Sequence, residues 1–359
     1  MANSEMRPVP VIDIRAGGPV RHAREGRERA RALRDDCLAW LPSPATAAMP
    51  LLDAVSRKWL VGSASPYVDE IETIAAELDF SGVWFLNASY QWGCTTCARD
   101  VGGHPWLLRM LDWPFPGLGR HVEMARMAGV AGEYVSVTWP GFVGVLTAMA
   151  PGRFAAALNQ APMKRRTRHP WLRPLDLGLN AVHTWRQVRH MPPDQLLRRV
   201  FEQCGDFATA RRALQETPIA RPAIFTLSGC AAGQSCVIER TEEGHNTRDT
   251  HTTAANDWFE RRDGWEARIG GRSFWSYGVE EAAENSRSRR DALMTWRGQT
   301  GTAGFGWVVP PILNPFTRMT VEACASSGVL RVVGYERVVP GELPRAVTAV
   351  GEFAPSVAA

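Results

Sequence analysis

The pattern of apolar and polar positions changes character partway along the chain. Over roughly the first ninety residues the spacing is helical. Pro19 to Trp40 is charged and alanine-rich, with arginines at helical intervals, and reads as an exposed helix. The prolines of LPSPATAAMP (41–50) mark a loop, and Leu51 to Leu60 is a second helical piece. A further helix opens at Ser65-Pro66, with serine at the cap, proline at the first position and acids in the first turn. It sets Val68, Ile71, Ile74 and Ala75 on one face. Gly82 to Trp92 continues as a helical or extended run. In this region only VPVIDI, near the start, has the look of a strand.

From Cys94 the period becomes two. Cys94 to Asp100 alternates, Gly102-Gly103 is a two-residue turn signal, and Trp106 to Leu111 returns as a partner strand. With the two glycines as the loop, Cys94 faces Leu111, and Arg109 lies diagonally beside Cys94 on the same face. Short strands follow at Glu133 to Thr138, Val143 to Ala150 and Phe154 to Leu158. Residues 176–216 are helical again, with Leu196, Leu197, Val200 and Phe201 forming one stripe and Phe207 to Leu214 repeating it. A second hairpin joins 223–230 to 235–240, a charged loop spans 241–252, and Glu280 to Trp296 is a helix. Residues 317–338 form a strand, a Ser-Ser-Gly turn and a return strand. Strands, helices, strands and a helix in this order predict an α+β layered fold of two stacked antiparallel sheets covered by helices. The change at Cys94 divides the chain into a mostly helical segment, 1–93, and a sheet-bearing domain, 94–359. No internal repeat, low-complexity stretch or linker marks another boundary.

Composition adds limits. With 359 residues and 45% hydrophobic content, the chain is long enough for one large or two modest domains. No run approaches the ~18 apolar residues of a membrane span. The opening MANSEMRPVPVIDIRAGG has no apolar signal region, so a cytoplasmic location is expected. Seven scattered cysteines, an odd number, suit reduced thiols better than a disulfide framework. The net charge of +4 is small, and no aromatic residues alternate with basic clusters, so nucleic-acid binding is not expected. Lys164-Arg-Arg-Thr-Arg168 reads as a solvated loop. Fourteen tryptophans supply large apolar walls, more often core than site.

The first hairpin brings together a nucleophile, a cation and a carboxylate: Cys94, Arg109 and Asp112. A thiol beside a guanidinium has its thiolate favoured, and Arg109 is also suited to hold a substrate carbonyl or carboxylate. Asp112 falls on the far face of a regular strand, unless a bulge or the strand end at Trp113-Pro114 turns it back. The plainer reading of a lone cysteine is a buried structural thiol. Cys94-Thr-Thr-Cys97 also forms a CxxC. A redox dithiol wants its first cysteine at a helix N-terminus, whereas the ARDVGGHPW that follows excludes a helix. A zinc site needs a second pair, and Cys230 and Cys236 are spaced too widely for one. The eight histidines include no HxxxH pair, and no G-x-S-x-G, Walker A or Rossmann glycine pattern is present. Neither a metal nor an organic cofactor is expected.

The stretch 93-GCTTCARDVGGHPWLLRMLDWPF-115 carries a Cys-Thr opening a strand, a turn with Gly-His, and R-x-L-D-W-P-F. It resembles the N-terminal-nucleophile (Ntn) amidohydrolases, most of all the acid ceramidase and N-acylethanolamine acid amidase group within the choloylglycine hydrolase and penicillin acylase superfamily. The resemblance continues upstream over 66-PYVDEIETIAAELDFSGVWFLNASYQWGC-94 and, patchily, to the last sixty residues. It implies a four-layer αββα sandwich and a chain that cuts itself between Gly93 and Cys94. Gly93 leaves room for the strained peptide this requires. The freed α-amine, of intrinsic pKa ~8, would then serve as the base.

Arg109 and Asp112 match the family's catalytic pair through R-M-L-D, with Asp112 placed to fix the direction of the α-ammonium. Asn256, in 253-TAANDWF-259, resembles the asparagine of a T-N-x-x-x-W segment whose amide donates to the tetrahedral oxyanion. The Asn-Asp-Trp spacing departs from that pattern by a residue, which leaves the register open. Arg289, in 285-NSRSRRDAL-293, resembles a downstream catalytic arginine, with Arg287 and Arg290 as neighbouring candidates. Ser286-x-x-Arg289 is also similar to the acyltransferase branch of the superfamily. Thr138 and Trp139 end a strand expected to flank the scissile bond, and Trp113, Trp139 and Phe142 either wall an acyl pocket or pack in the core.

The implied activity is hydrolysis of a linear amide of a small-molecule N-acyl amine, ceramide-like or N-acylethanolamine-like, through an acyl-thioester on Cys94. Interception of the same intermediate by an amine would make an N-acyltransferase. Outside this class stands a dithiol or metal-binding protein, for which Cys97 should matter as much as Cys94.

Overall fold

A computed structural model describes residues 6–41, 43–88, 93–187, 189–242, 244–268, 279–302 and 304–354. The N-terminal segment holds strand β1 (Val11–Asp13) and helices α1 (Gly18–Glu25), α2 (Arg27–Ala39), α3 (Ser43–Ala47), α4 (Met49–Val61), α5 (Val68–Leu78) and α6 (Val83–Ala88). The helix predicted from Pro19 to Trp40 is two helices, divided at Gly26. Pro140 packs there so closely that a Cβ on Gly26 would lie 2.7 Å from its ring. The stretch 41–50 is not a loop throughout: it carries α3, and Pro50 sits in the first turn of α4, where its missing N–H costs nothing. The last part of the predicted helical or extended run from Gly82 to Trp92, 89–92, lies outside the described residues.

The remaining chain runs β2 (Gly93–Val101), β3 (His104–Asp112), β4 (Glu123–Gly129), β5 (Gly132–Thr138), β6 (Thr147–Ala150), β7 (Phe154–Gln160) and β8 (Met163–Lys164). Helices α7 (Arg173–Gln187), α8 (Pro193–Gln203) and α9 (Phe207–Glu216) follow. Strands β9 (Ala223–Ser228), β10 (Ser235–Arg240), β11 (His245–Arg248), β12 (Thr253–Ala254) and β13 (Trp265–Glu266) lead to α10 (Val279–Thr295). The chain closes with β14 (Thr317–Cys324), β15 (Val329–Glu336), β16 (Arg345–Ala346) and β17 (Gly351–Phe353).

Two sheets stack. The first has the order β1-β4-β5-β6-β7-β9-β10-β11, and the second β12-β2-β3-β14-β15-β16, with β17 also on β15. Pairing is antiparallel except that β1 joins β4 in parallel, so the N-terminal segment contributes an edge strand to the first sheet. The apolar faces of β2, β3 and β14 meet those of β7 and β9 in one core. Helices α8 and α9 cover the outer face of the first sheet and α10 that of the second. Helix, sheet, sheet and helix make a four-layer α+β sandwich. Two local differences from the sequence pattern have clear causes. Residues 143–146 form a connection rather than strand, because the Val145 N–H goes to the Asp194 carbonyl of α8. The charged loop 241–252 contains β11, an exposed edge strand whose polarity suits that position.

Candidate active site

The site is built on the β2–β3 hairpin. Gly102 and Gly103 turn it with φ of 61° and 82°, the left-handed pair that a two-residue hairpin loop requires. This turn sets the register: Cys94 faces Leu111, Thr96 faces Arg109, and Gly93 faces Asp112. Cys94 and Arg109 thus share the inner face, between the sheets, and both are fully buried. Arg109 Nη2 donates to Cys94 Sγ at 3.0 Å and to the Leu158 carbonyl at 3.2 Å, while Nη1 donates to the Leu146 carbonyl at 2.8 Å and to Thr147 Oγ1. The guanidinium therefore bridges the thiol to β6 and β7 of the opposite sheet. The Cys94 thiol itself points to the Leu158 carbonyl at 3.6 Å. Burial pushes this thiol up, and the Arg109 charge acts against that shift. The cation that the sequence predicts to favour the thiolate is outweighed here by desolvation.

Asp112 is not turned back towards the sulfur. It stays on the outer face, where Arg289 Nη1 approaches Oδ2 at 3.3 Å and Thr317 Oγ1 donates to Oδ1 at 3.1 Å. The irregularity that does occur lies in the neighbouring strand, between Thr317 and Met319. Burial raises the Asp112 carboxyl, opposed chiefly by Arg289.

Arg289 is the arginine of its helix that reaches the hairpin. Its Nη1 donates to the Cys94 carbonyl and Thr95 Oγ1, both at 2.8 Å, and Nη2 donates to Asn256 Oδ1 at 3.0 Å. Arg287 instead pairs with Glu284, and Arg290 lies over the Phe259 ring. Asn256 Oδ1 also accepts the Cys94 N–H at 2.9 Å, and its Nδ2 donates to the Gln160 carbonyl at 3.0 Å. Two donors converge on one atom of the amide, which identifies that atom as oxygen. The expected oxyanion donor is thus held by a backbone carbonyl.

The aromatic candidates separate. Trp113 lines an apolar cleft formed with Leu33, Cys37 and Leu38 of α2, Leu86 of α6 and Phe115. Trp139 donates its Nε1–H to the Leu118 carbonyl at 2.8 Å and meets Phe142 edge-on; both lie in the same apolar core as Cys94 rather than on the cleft wall. Thr138 ends β5 opposite Glu123, with its hydroxyl turned to the Trp139 carbonyl.

Cys97 projects from the opposite face of β2, into a cluster with Leu108, Met110 and Leu293. Three residues along a strand reverse the side chain, so Cys94 and Cys97 are not a facing pair. Asn159 escaped the sequence reading. Its buried Nδ2 donates to Thr96 Oγ1 and the Ala255 carbonyl, both at 3.1 Å, tying β2 to the backbone just before Asn256. The available signal was Asn159-Gln160 ending the otherwise apolar strand FAAALNQ.

The four-layer sandwich, with a cysteine opening a strand and its sulfur between the sheets, is the arrangement expected of the Ntn hydrolase fold. By sequence, the chain is similar to proteins of the acid ceramidase-like group. It is 26% identical over 188 residues to the N-acylethanolamine-hydrolyzing acid amidase of Cavia porcellus, covering 50% of this chain and 49% of that protein. It is 27% identical over 221 residues to a probable acid ceramidase of Caenorhabditis elegans, covering 54% and 52%. The chain therefore spans about half the length of these relatives. The solved structure of a Caenorhabditis elegans N-acylethanolamine-hydrolyzing acid amidase ortholog aligns with TM-score 0.47 and 15% identity, over 65% of this chain and 93% of that one. No family model matches the chain.

Proposed function

We propose that this chain is a self-processing amidohydrolase that cleaves linear amides of N-acyl amines through a thioester on Cys94. The observation that carries the reading is the convergence on one residue: Arg109 on the Cys94 sulfur, Asn256 on its N–H and Arg289 on its carbonyl. In the first reaction Sγ attacks the Gly93 carbonyl carbon and the peptide C–N bond breaks. Water then releases the Gly93 carboxylate, leaving Cys94 with a free amine. In the second, that amine takes the thiol proton, and Sγ attacks the substrate carbonyl. The Asn256 amide, once released from the Gln160 carbonyl, donates to the oxyanion without carrying charge itself. The amine product leaves with the proton, and water hydrolyses the thioester. Arg289, fixed between Asp112 and the Cys94 carbonyl, keeps the nucleophile's backbone in place. The names of the relatives and the apolar cleft at Trp113 together support an apolar acyl group.

Intact mass and N-terminal sequencing of the purified chain test this directly, beside a Cys94→Ala control. The expected result is a fragment beginning at Cys94 in the wild type, an uncut control, and turnover of fatty N-acyl amides by the cut protein alone. An uncut chain that hydrolyses amides would overturn the α-amine mechanism. Hydroxamate formation in added hydroxylamine reports the thioester, and N-acylation of an added amine in preference to hydrolysis would reassign the enzyme as a transferase.

A further inference from the structure

The two halves of the scissile bond are held differently. Cys94 is fixed through its backbone by Asn256 and Arg289, whereas Gly93, paired with Asp112 at the very start of β2, also takes up the chain arriving from the N-terminal helices. The last of those helices, α6, has six residues, too few to persist without tertiary contacts. Val83 and Trp84 pack it into an apolar cluster, and one polar side chain, Asn87, is buried beneath it.

We propose that Asn87 is a positioning residue for self-cleavage, its amide clamping the segment before the scissile bond to the loop that packs against the nucleophile's core. The inference rests on the self-processing reading. Asn87 is 2% exposed. Its Nδ2 donates to the Val83 carbonyl and the Gly141 carbonyl, both at 2.9 Å, and its Oδ1 accepts the Val143 N–H at 2.8 Å. The amide thus pairs with a carbonyl and an N–H of one loop, as a peptide unit of a neighbouring strand would. That loop turns tightly: the Phe142 N–H returns to the Trp139 carbonyl at 3.1 Å, and Gly141 takes φ 93°. It also seats Trp139 and Phe142 in the apolar core that contains Cys94.

Leucine is close in shape, but it would leave the Gly141 carbonyl and the Val143 N–H without the bonds that the amide makes. What the amide adds is direction: two contacts to one loop fix the rotation and depth of α6 together. Attack on the Gly93 carbonyl requires sulfur and carbon within ~3–3.5 Å, and a 1 Å error in such a geometry costs about 10²-fold in rate.

The experiment is a time course of self-cleavage in the full chain for wild type, Asn87→Asp and Asn87→Leu, run well below each melting temperature. Asn87→Asp keeps shape and acceptor. Ionised, it sets a carboxylate against two carbonyls; protonated, its hydroxyl donates to one of them. The expected result is cleavage slowed at least ~10-fold at pH 7, with the ratio to wild type recovering as the pH falls. Asn87→Leu should be slow at every pH. A purely structural role would lower the melting temperature, more so as the pH rises, and leave the cleavage rate of the folded chain at the wild-type value. Wild-type rates in both variants, or a flat ratio for Asn87→Asp, overturn the assignment. Should Asn87→Leu not fold, Asn87→Asp decides. A wild type that never cuts takes down the self-processing reading and this one with it, whereas a cut wild type and an equally fast Asn87→Asp remove only this one.

Discussion

The two faces of the β2–β3 hairpin carry different halves of the site. The inner face holds the Cys94 sulfur and Arg109 among apolar side chains, backbone carbonyls and the Thr147 hydroxyl. The outer face, under α10, holds Thr95, Asp112 and Arg289, a carboxylate and a cation joined by hydrogen bonds. On the inner face burial raises the proton affinity of the sulfur and Arg109 is the chief opposing charge, with Asp112 and Arg289 acting on it more weakly through the strand. The outer face governs the position of the peptide, because Arg289 grips the Cys94 carbonyl. Alternation along the strand keeps the two sets of contacts on opposite faces. Asp112 therefore acts on the nucleophile through Arg289 rather than by facing the sulfur.

This division is broken most severely from the inner side. Arg109→Met leaves the buried thiol without its opposing charge, and turnover of the cut enzyme should fall on the order of 10²-fold, as for loss of a preorganised active-site donor. The pH at which Cys94 reacts with iodoacetamide should move upward in the same variant. Arg109→Lys should recover part of the loss, since it keeps the charge but not the fork that also holds Leu146 and Leu158. An unchanged alkylation profile in Arg109→Met would show that the cation does not act on the sulfur.

The inner face was the legible one. A two-glycine turn fixes register, register fixes which side chains share a face, and Arg109 beside Cys94 follows from residues fewer than twenty apart. The outer face was not, because it is assembled across the chain. Arg289 and Asn256 arrive from a distant helix and from the bend that follows a short strand, and their meeting at Cys94 has no periodic signature; resemblance to a family, not pattern, picked them out. Asn159 was lost for the opposite reason, as a polar residue closing an apolar strand looks like an ordinary strand end. The second hairpin and the helices of 173–216 were readable because their stripes are long. The helix break at Gly26 was not, since the Pro140 that packs on it comes from far along the chain.

A smaller effect sharpens the account of the outer face. Burial raises the Asp112 carboxyl above its ordinary 3.8, with Arg289 opposing. The folded state then holds the proton more tightly than the unfolded one, so the Asp112 contribution is most favourable below 3.8 and is lost as the pH rises from there through the raised folded value. Asp112→Asn fixes a neutral side chain. In melts across this window, wild type should lose ground to Asp112→Asn as the pH increases, whatever the constant offset between them. A slope of the opposite sign would mean that the Arg289 pair outweighs desolvation and that the outer face is organised by a true ion pair.

The smallest expected effect is at Cys97, and it discriminates most cleanly between the faces. Cys97 shares its strand and chemistry with Cys94, yet it points under α10 among Leu108, Met110 and Leu293, with Thr253 Oγ1 donating to its sulfur at 3.4 Å. Burial raises that thiol too, opposed first by the Thr253 hydrogen bond and then by the charges of Arg99 and Arg297, whereas at Cys94 the chief opposing group is Arg109 on the sulfur itself. Cys97→Ala removes one buried sulfur and should cost about 1 kcal/mol of stability, while self-cleavage and amide turnover stay within about twofold of wild type. A dithiol or metal-binding protein would instead lose function to the same degree at either cysteine. Equal losses at the two positions would undo the division of the hairpin into a reactive and a structural face. A loss confined to Cys94 would show that the side of the strand, rather than the presence of a thiol, makes this cysteine the nucleophile.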